Sequence, residues 1–328
     1  MITELMTVIC PVRNEAEYIE NIIKFFINSL PAEKELFIVD GKSTDNTREI
    51  ISKYTSRYEN IFLLDNPDKT VPFALNIALK LSKGNPIVRL DAHTLYADDY
   101  FEKILETFEK TKADIVGGPM RAIGKTNFQK AVALCTSTKF GVGDSMFHDE
   151  KYEGFTDSVY LGAWQNNIFK KIGLFDEEMI RNQDDEFHYR AKSKNLKIYL
   201  NPGIRSWYFP RNSINTLFRQ YFQYGLYKPL VLKKVSSEWK LRHLIPSVFA
   251  IYCLSIPFLY YLLSIFLILP LIMYLICDIY FSFANGSNKS QQFHSLIIYP
   301  VLHLSYGIGF IFGIQKLINN ILFKRKQS

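Results

Sequence analysis

Asp91 and His93 follow residues 87–90, a short apolar run with the character of a buried strand. If the strand continued through them, its two-residue repeat would direct both side chains to one face, where one cation could bind both. At the carboxyl end of a parallel strand, such a pair opens into the crevice where α/β sheets bind ligands. Taken alone, the pair is more typical of a strand end with two solvated residues.

Two further polar clusters follow apolar runs in the same way. Residues 13–15 follow the run 5–11, and residues 40–45 follow the run 36–39. Each cluster alone is typical of a helix cap or a turn. Because the carboxyl ends of parallel strands meet at one edge of a sheet, their coincidence with Asp91 predicts a nucleotide site at that edge.

An acidic segment begins a predicted helix at residues 182–187, with Asp184, Asp185 and Glu186 adjacent. Carboxylates in the first turn of a helix are stabilised by the helix dipole, so this arrangement needs no function. Crowding of like charges also raises the pKa of at least one carboxylate, which suits a general base. The residues alone leave both interpretations open.

Strand-like and helical periodicities alternate over the first 120 residues. Strands are predicted at 5–11, 36–39, 61–64, 87–90 and 114–116, and helices at 15–29, around residue 50, at 73–81 and at 98–112. This alternation predicts an α/β fold with a mostly parallel, doubly wound sheet, and the absence of G-x-G-x-x-G and of a Walker loop excludes the usual dinucleotide and P-loop folds. Residues 124–154, rich in Lys, Gly and Ser, are expected to include a mobile segment that faces the site.

The hydrophobic residues, 48% of 328, are concentrated near the C-terminus. Residues 244–277 contain no Asp, Glu, Lys or Arg. A helix of that length would measure about 50 Å, against about 30 Å for the hydrocarbon core of a bilayer. Two spans broken near Pro257 or Tyr261 are therefore predicted, and residues 295–318 form a third apolar stretch.

The net charge of +7 is concentrated beside the apolar stretches. Basic residues cluster before the first span and after the last: Lys228, Lys233, Lys234, Lys240, Arg242, Lys324, Arg325 and Lys326. This placement favours anionic lipid on the cytoplasmic side over nucleic acid as the partner. Three full spans would put the clusters on opposite sides, so either the third stretch is re-entrant or in-plane, or one terminus departs from the rule.

The N-terminus lacks the pattern of a signal peptide, and the four cysteines are scattered, which suits a reducing compartment. We therefore expect a cytoplasmic head on a multi-pass protein of the inner or plasma membrane. The predicted domains are a head at 1–212, an amphipathic, basic interfacial segment at 213–243 and a membrane domain of two to three helices at 244–328. Residues 215–228 form either an interfacial helix or one packed on the head, and Gly309 and Gly313 predict a helix contact.

Five motifs in order resemble the family 2 glycosyltransferases, which are inverting enzymes with a GT-A fold. The motifs cover about the first 210 residues and are Pro11-Val12-Arg13-Asn14-Glu15, Val39-Asp40-Gly41-Lys42-Ser43-Thr44-Asp45, Asp91-Ala92-His93, Gly173-Leu174-Phe175-Asp176 and Gln183-Asp184-Asp185-Glu186-Phe187. The D-A-H form and the later Arg219-Gln220-Tyr221 are most similar to exopolysaccharide enzymes of the succinoglycan ExoA type. Departures from the family pattern include Lys42 where Gly is common and His93 where a second Asp is usual.

The resemblance implies a nucleotide-sugar donor, most often a UDP-sugar. It implies Asp184 as catalytic base, Asp91 and His93 as ligands of a divalent cation and the diphosphate, Asp40 facing the base, and donor contacts from Pro11, Arg13, Glu15, Asp45 and Arg89. Trp164, Asp185 and Glu186 are expected on the acceptor side. Since imidazole is a poorer ligand for the harder Mg²⁺, His93 leaves Mn²⁺ and Mg²⁺ both open.

The implied acceptor is a lipid-linked saccharide, such as a polyprenyl diphosphate sugar, at the membrane surface. No Q-x-x-R-W motif follows Asp184, which favours a single addition over polymerisation. Two alternatives stand beside this prediction: a sugar-phosphate nucleotidyltransferase, which usually has a Gly-rich N-terminal loop that is absent here, and a non-catalytic membrane scaffold that retains a GT-A domain.

Overall fold

The computed structural model describes residues 5–236, 239–263 and 268–327. The chain divides into two compact units. The first unit comprises Met1–Arg121 and Met146–Tyr208, and the second comprises Ala122–Ser145 and Phe209–Ser328. The chain enters the second unit for the last time at Phe209, close to the predicted boundary at residue 212. That residues 122–145 also belong to the second unit was not predicted.

The first unit alternates strands and helices along the chain. Its strands are β1 (Met6–Val12), β2 (Lys34–Asp40), β3 (Ile61–Asp65), β4 (Ile87–Arg89), β5 (Thr94–Tyr96), β6 (Ile115–Gly118), β7 (Arg121–Ala122, at the unit boundary), β8 (Gly154–Phe155), β9 (Tyr160–Trp164), β10 (Ile198–Leu200) and β11 (Ser206–Tyr208). Its helices are α1 (Ile19–Asn28), α2 (Thr47–Thr55), α3 (Val71–Leu81), α4 (Tyr100–Thr111), α7 (Ile168–Ile172) and α8 (Gln183–Ser193), with a 3₁₀ turn at Met146–His148.

Eight strands form one sheet in the order β3-β2-β1-β4-β9-β6-β10-β8. Strands β3, β2, β1, β4, β6 and β10 run in the same direction, and β9 and β8 run against them. From β1 the chain order proceeds outward through β2 and β3 on one side and to β4 on the other. The carboxyl ends of β1 and β4 therefore flank a topological switch point, where open α/β sheets bind ligands.

The five predicted strands are all present, and the prediction of a mostly parallel α/β sheet is confirmed. Their apolar runs are buried on both sides of the sheet, in one core with α1 and α4 and another with α3 and α8. Burial on both faces explains why the runs are continuous rather than alternating. Strand β9, which enters antiparallel between β4 and β6, was not predicted.

The second unit consists of helices. They are α5 (Asn127–Ser137), α6 (Lys139–Val142), α9 (Ile214–Lys234), α10 (Leu241–Leu263), α11 (Leu269–Asn285) and α12 (Lys289–Gln327). Helix α5 begins with a capping box formed by Thr126 and Gln129, and its buried face packs on α9 and α12. The expectation of a mobile, site-facing segment at 124–154 is therefore wrong for α5 and α6, because their apolar side chains belong to this helical core.

One helix among the described residues is long and apolar enough to cross a membrane: Lys289–Asn319 of α12, which is half-buried. Leu241–Pro257 and Leu269–Asn285 are apolar but shorter. Two or three spans are thus not confirmed. Pro257 and Tyr261 both lie inside α10, so the predicted break does not fall at either residue.

The predicted basic clusters are also only partly exposed. Lys228 is buried, and Arg242 pairs with Asp144 at 2.5 Å. The side chains of Lys324, Arg325 and Lys326 lie outside the part that the structure describes.

Glycine residues allow α12 to approach α9 closely, and a helix contact was predicted at two of them, Gly309 and Gly313. A Cβ atom at Gly309 would lie 2.1 Å from the backbone oxygen of Phe222, and one at Gly313 would lie 2.4 Å from that of Leu226. A Cβ at Gly225 of α9 would lie 2.1 Å from the oxygen of Tyr306. Only glycine permits this approach of the two backbones, so α9 packs on α12 within the second unit.

We expect Gly309→Ala to destabilise the full-length protein by about 1–3 kcal/mol, because the added methyl group overpacks a backbone contact. Unfolding in detergent, followed by circular dichroism, measures the effect. The matched control is Ile314→Ala on the exposed face of α12, for which we expect about 0.5 kcal/mol or less. Equal losses in the two variants would contradict close packing at Gly309.

Candidate functional site

Hydrogen bonds join the loops that follow β1 and β2. The Asn14 backbone N–H donates to Ser43 Oγ at 2.8 Å, and its side-chain Oδ1 accepts from the Thr44 N–H at 2.8 Å. The Glu15 N–H donates to Thr47 Oγ1 at 2.8 Å. These bonds fix the polar loops of two neighbouring parallel strands as one surface at the carboxyl edge of the sheet.

The departure at Lys42 has a conformational explanation. Lys42 has φ 58°, in the left-handed region that favours glycine. Its neighbour Gly41 lies against a turn, since a Cβ there would be 3.3 Å from the Cα and O atoms of Lys69. The loop therefore keeps the shape that glycine would permit, at some cost in strain.

Asp40 is fully buried at the end of β2. It accepts hydrogen bonds from Ser43 Oγ at 2.5 Å and from Arg48 Nη1 at 2.8 Å, and Arg48 also binds Asp65. Asp40 thus holds the loop, and its predicted contact with a nucleobase stays a prediction. Asp45 likewise stabilises the local structure at the start of α2, because it accepts a hydrogen bond from the Thr47 hydroxyl at 2.5 Å.

Two of the predicted donor-pocket residues lie at the end of β1. Pro11 is half-buried within the strand, whereas Arg13 is exposed in the loop beyond it. Both therefore lie at the carboxyl edge of the sheet, beside the switch point.

Asp91 and His93 lie in a turn rather than in a strand. Strand β4 ends at Arg89, and the Thr94 N–H donates to the Asp91 carbonyl at 3.2 Å to close the turn. The alternation argument is therefore wrong for this pair, since the turn sets their directions. His93 Nδ1 lies 3.1 Å from Glu15 Oε1, which joins the ends of β4 and β1 across the switch point.

Arg89, the last residue of β4, connects two carboxylates. Its Nε and Nη2 atoms lie 2.9 and 3.3 Å from the two oxygens of Asp91, and its Nη1 atom lies 2.7 and 2.9 Å from those of Asp184. The Arg89 side chain is only 6% exposed. Burial lowers the pKa of its guanidinium, but Asp184 and Asp91 raise it, and the net shift is upward, so Arg89 remains charged.

Asp184 and Glu186 of α8 have different surroundings. Asp184 is 38% exposed and faces Arg89. Glu186 is 3% exposed and pairs with Arg190 at 2.7 Å. The predicted acceptor-side position is therefore wrong for Glu186, because its carboxylate is buried against Arg190. Asp185 is half-buried.

Helix α8 is anchored from two directions. Phe187 is fully buried and stacks on Phe175, with ring centroids 4.3 Å apart. Arg190 donates to the carbonyl of Leu174 at 2.9 Å, and Asn76 exchanges two hydrogen bonds with the Phe175 backbone. The Gly-Leu-Phe-Asp motif thus fixes the helix that carries Asp184. The contacts of Asn76 and Arg190 with this motif were not predicted, because no local pattern joins these residues to it.

Trp164 belongs to the core and not to the acceptor side. Its side chain is 1% exposed and packs edge-on against Phe175 and Phe187, at centroid distances of 5.4 and 6.1 Å. The prediction of an acceptor contact is wrong, because the indole has almost no surface to offer a ligand.

Comparison with known proteins agrees with this arrangement. Residues 7–173 match the family model described as Glycosyl transferase family 2. The succinoglycan biosynthesis protein ExoA of Rhizobium meliloti (strain 1021) is 33% identical over 242 residues, which cover 73% of each chain. The chain belongs to glycosyltransferase family 2. It is therefore an enzyme, a glycosyltransferase.

A second relative and two solved structures extend the comparison. A dolichyl N-acetyl-alpha-D-glucosaminyl phosphate 3-beta-D-2,3-diacetamido-2,3-dideoxy-beta-D-glucuronosyltransferase of Methanococcus voltae is 29% identical, covering 70% of this chain and 74% of its own. The mannosyltransferase PcManGT from Pyrobaculum calidifontis, in complex with GDP-Man and Mn²⁺, has a TM-score of 0.62 at 17% identity, covering 93% and 88% of the two chains. S. aureus TarS 1–349 with UDP-GlcNAc has a TM-score of 0.53 at 16% identity, covering 93% and 90%. These structures establish the GT-A fold.

The residues at the turn of this glycosyltransferase fit a divalent cation held jointly with a diphosphate. Asp91 would supply a carboxylate and His93 an imidazole, and Glu15 would orient that imidazole as carboxylates do behind metal-bound histidines. Within the described ranges no three His, Cys, Asp or Glu side chains are grouped to hold a metal. A cation here would take its other ligands from diphosphate oxygens and water, which is common for Mg²⁺ in phosphate sites.

If Asp184 is the general base that the family resemblance implies, Asp184→Asn should lower kcat by about 10²- to 10⁴-fold with little change in nucleotide affinity, because such a base acts in the chemical step. Steady-state kinetics and calorimetric binding of UDP with MnCl₂ measure the two effects. Glu186→Gln is the comparison: we expect a lower melting temperature and a smaller loss of kcat, since Glu186 holds Arg190. Asp185→Asn should be milder than Asp184→Asn. A larger loss of kcat in the Glu186 or Asp185 variant would exclude Asp184 as the base.

Proposed function

We propose that the chain transfers a sugar from a nucleotide-sugar donor, a UDP-sugar, to a lipid-linked saccharide, with inversion at the anomeric carbon, in the synthesis of a cell-surface polysaccharide. The observation that carries this proposal is the Asp91–Arg89–Asp184 cluster beside the switch point between β1 and β4. In it, one guanidinium contacts both Asp91, in the turn that would bind the diphosphate, and the partly exposed carboxylate of Asp184.

The donor would lie across the carboxyl edge of the sheet. Arg13, exposed beyond β1, and the joined loops after β1 and β2 would receive the nucleoside, and Asp91 with His93 would hold a divalent cation, Mn²⁺ or Mg²⁺, and the diphosphate. When bound, such a cation neutralises the charge that develops on the leaving nucleoside diphosphate. The complexes of PcManGT with GDP-Man and Mn²⁺, and of TarS with UDP-GlcNAc, support a donor of this class.

Asp184 would take the proton of the acceptor hydroxyl. A sugar hydroxyl is a poor nucleophile until a base removes its proton during attack. Attack opposite the leaving group needs one base and no nucleophilic carboxylate, and inverts the anomeric centre. Glu186 is committed to Arg190, so Asp184 has the strongest claim to this role in the acidic segment. Asp185, half-buried, would lie closer to the acceptor side.

The second unit would bring the enzyme to a membrane. Helices α10 and α11 expose apolar side chains three or four residues apart, which form continuous stripes: Leu241, Ile245, Val248, Ile251 and Leu254, and Leu269, Ile272, Ile276, Ile279 and Phe283. Exposed apolar surface of this extent is typical of a membrane or protein contact. Because α12 also contains a segment of spanning length, we favour lipid, with the head in the cytoplasm.

A lipid-linked acceptor agrees with that location. The Methanococcus voltae relative is named for a dolichyl phosphate sugar substrate, and the Rhizobium meliloti relative for succinoglycan biosynthesis. An acceptor with a polyprenyl chain stays in the bilayer, so an enzyme held at the surface meets it at high local concentration.

A panel of nucleotide sugars, with the full chain and MnCl₂, tests the proposed reaction. We expect one donor to be used, transfer to stop with EDTA and to recover with added Mn²⁺ or Mg²⁺, and Asp91→Ala to lose transfer by at least about 10³-fold, since the diphosphate loses its counter-charge. The matched control is Asp65→Ala, a carboxylate that also pairs with an arginine but lies outside the site. Full activity of Asp91→Ala, or no loss with EDTA, would overturn the role of the cation.

Flotation with anionic liposomes tests the membrane contact. We expect the double variant Ile272→Glu/Ile276→Glu to reduce the bound fraction by about tenfold or more, because each buried isoleucine contributes about 1.5–3 kcal/mol. The control is Leu81→Glu/Phe155→Glu, which changes two exposed apolar residues of the first unit. Equal flotation of the two variants would show that α11 does not contact lipid.

A further inference from the structure

We propose that Arg89 is a positioning residue for the transfer step, which fixes the carboxylate of Asp184 and does not itself bind the donor. The inference rests on the proposed function, in which Asp184 is the base. It differs from the sequence-based prediction, which placed Arg89 among the donor contacts.

The contacts of Arg89 leave little of its guanidinium for a ligand. Nε and Nη2 face the Asp91 carboxylate, and Nη1 contacts both oxygens of Asp184. With only 6% of the side chain exposed, the donor would meet Asp91 and Asp184 rather than Arg89.

The planar geometry of guanidinium explains why an arginine occupies this position. Its N–H groups point in fixed directions, so one side chain can bind two carboxylates on different sides. A lysine ammonium carries the same charge but is a point donor, so it can stay beside Asp91 without also holding both oxygens of Asp184. The orientation of a catalytic carboxylate matters, since a misplacement of about 1 Å can cost about 10²-fold in rate.

Arg89→Lys keeps the positive charge and removes the planar guanidinium with its fixed N–H directions. We expect kcat to fall by about 10- to 100-fold, while the KM for the donor and the Kd for UDP with MnCl₂ change by less than about threefold. If the donor panel identifies a guanosine nucleotide, GDP replaces UDP as the probe. The matched control is Arg121→Lys, because Arg121 is also a buried arginine of the first unit, but it donates to the carbonyls of Pro202 and Ile204. Its kcat should stay within about threefold of the wild type.

A double-mutant cycle separates action through Asp184 from an independent effect. In the Asp184→Asn background, where the base is already lost, Arg89→Lys should lower the residual rate by less than about threefold. If the two losses multiply instead, Arg89 does not act through Asp184 and the proposal is overturned. A rise in the Kd for the nucleotide that matches the fall in kcat/KM would restore the donor-binding role and also overturn it.

Thermal unfolding shows whether the variants are folded. Should Arg89→Lys fail to fold, Arg89→Gln takes its place in the same cycle, because its amide can still donate to one carboxylate. Activity of the wild-type chain distinguishes the two levels of the argument. A wild type that transfers no sugar from any donor overturns the proposed function, whereas an active wild type with multiplicative losses overturns only the role of Arg89.

Discussion

One buried cation, Arg89, holds together the two parts of the site. Its carboxylate partners come from the turn after β4 and from α8, which are 93 residues apart in the sequence, at Asp91 and Asp184. Without the cation, the two carboxylates would repel each other. Because Asp184 is 38% exposed, the cost would be smaller than the about 3–5 kcal/mol typical of a fully buried ion pair. The position of α8 at the sheet edge therefore depends on Arg89 as well as on apolar packing.

The sheet order explains why this cation is well placed. Strand β4 pairs with β1 in parallel. Its last residue, Arg89, therefore lies at the carboxyl edge of the sheet, beside the switch point between β1 and β4. On its other side, β4 pairs with the antiparallel β9, whose residue Trp164 lies in the core beneath α8. The aromatic layer of Trp164, Phe175 and Phe187 supports the helix from below, and the ion pair fixes its N-terminal end. Charge and packing thus act on the same element.

Local patterns predicted the parts of the fold that depend on local chemistry. The apolar runs of β1 to β4 were recognisable because both faces of the sheet are buried. The polar clusters after β1, β2 and β4 were recognisable because they follow these runs directly. The antiparallel entry of β9 and the docking of α5 onto α12 were not, because they depend on partners far away in the sequence. Arg89 shows the same limit: it was predicted as a donor contact, whereas its tertiary neighbours are carboxylates. Trp164 was misassigned because its burial depends on Phe175 and Phe187, which the local sequence does not place beside it.

Helix geometry separates the carboxylates of the acidic segment. Successive residues of an α-helix are about 100° apart, so Asp184 and Glu186 point about 200° apart and cannot both face Arg89. Glu186 shares its face with Arg190, four residues later, and the pair grips the Gly-Leu-Phe-Asp segment. Asp184 projects from the opposite side, where it is partly exposed and meets the guanidinium. One face of α8 is thus used for attachment, and the other carries Asp184, the carboxylate that we propose as the base.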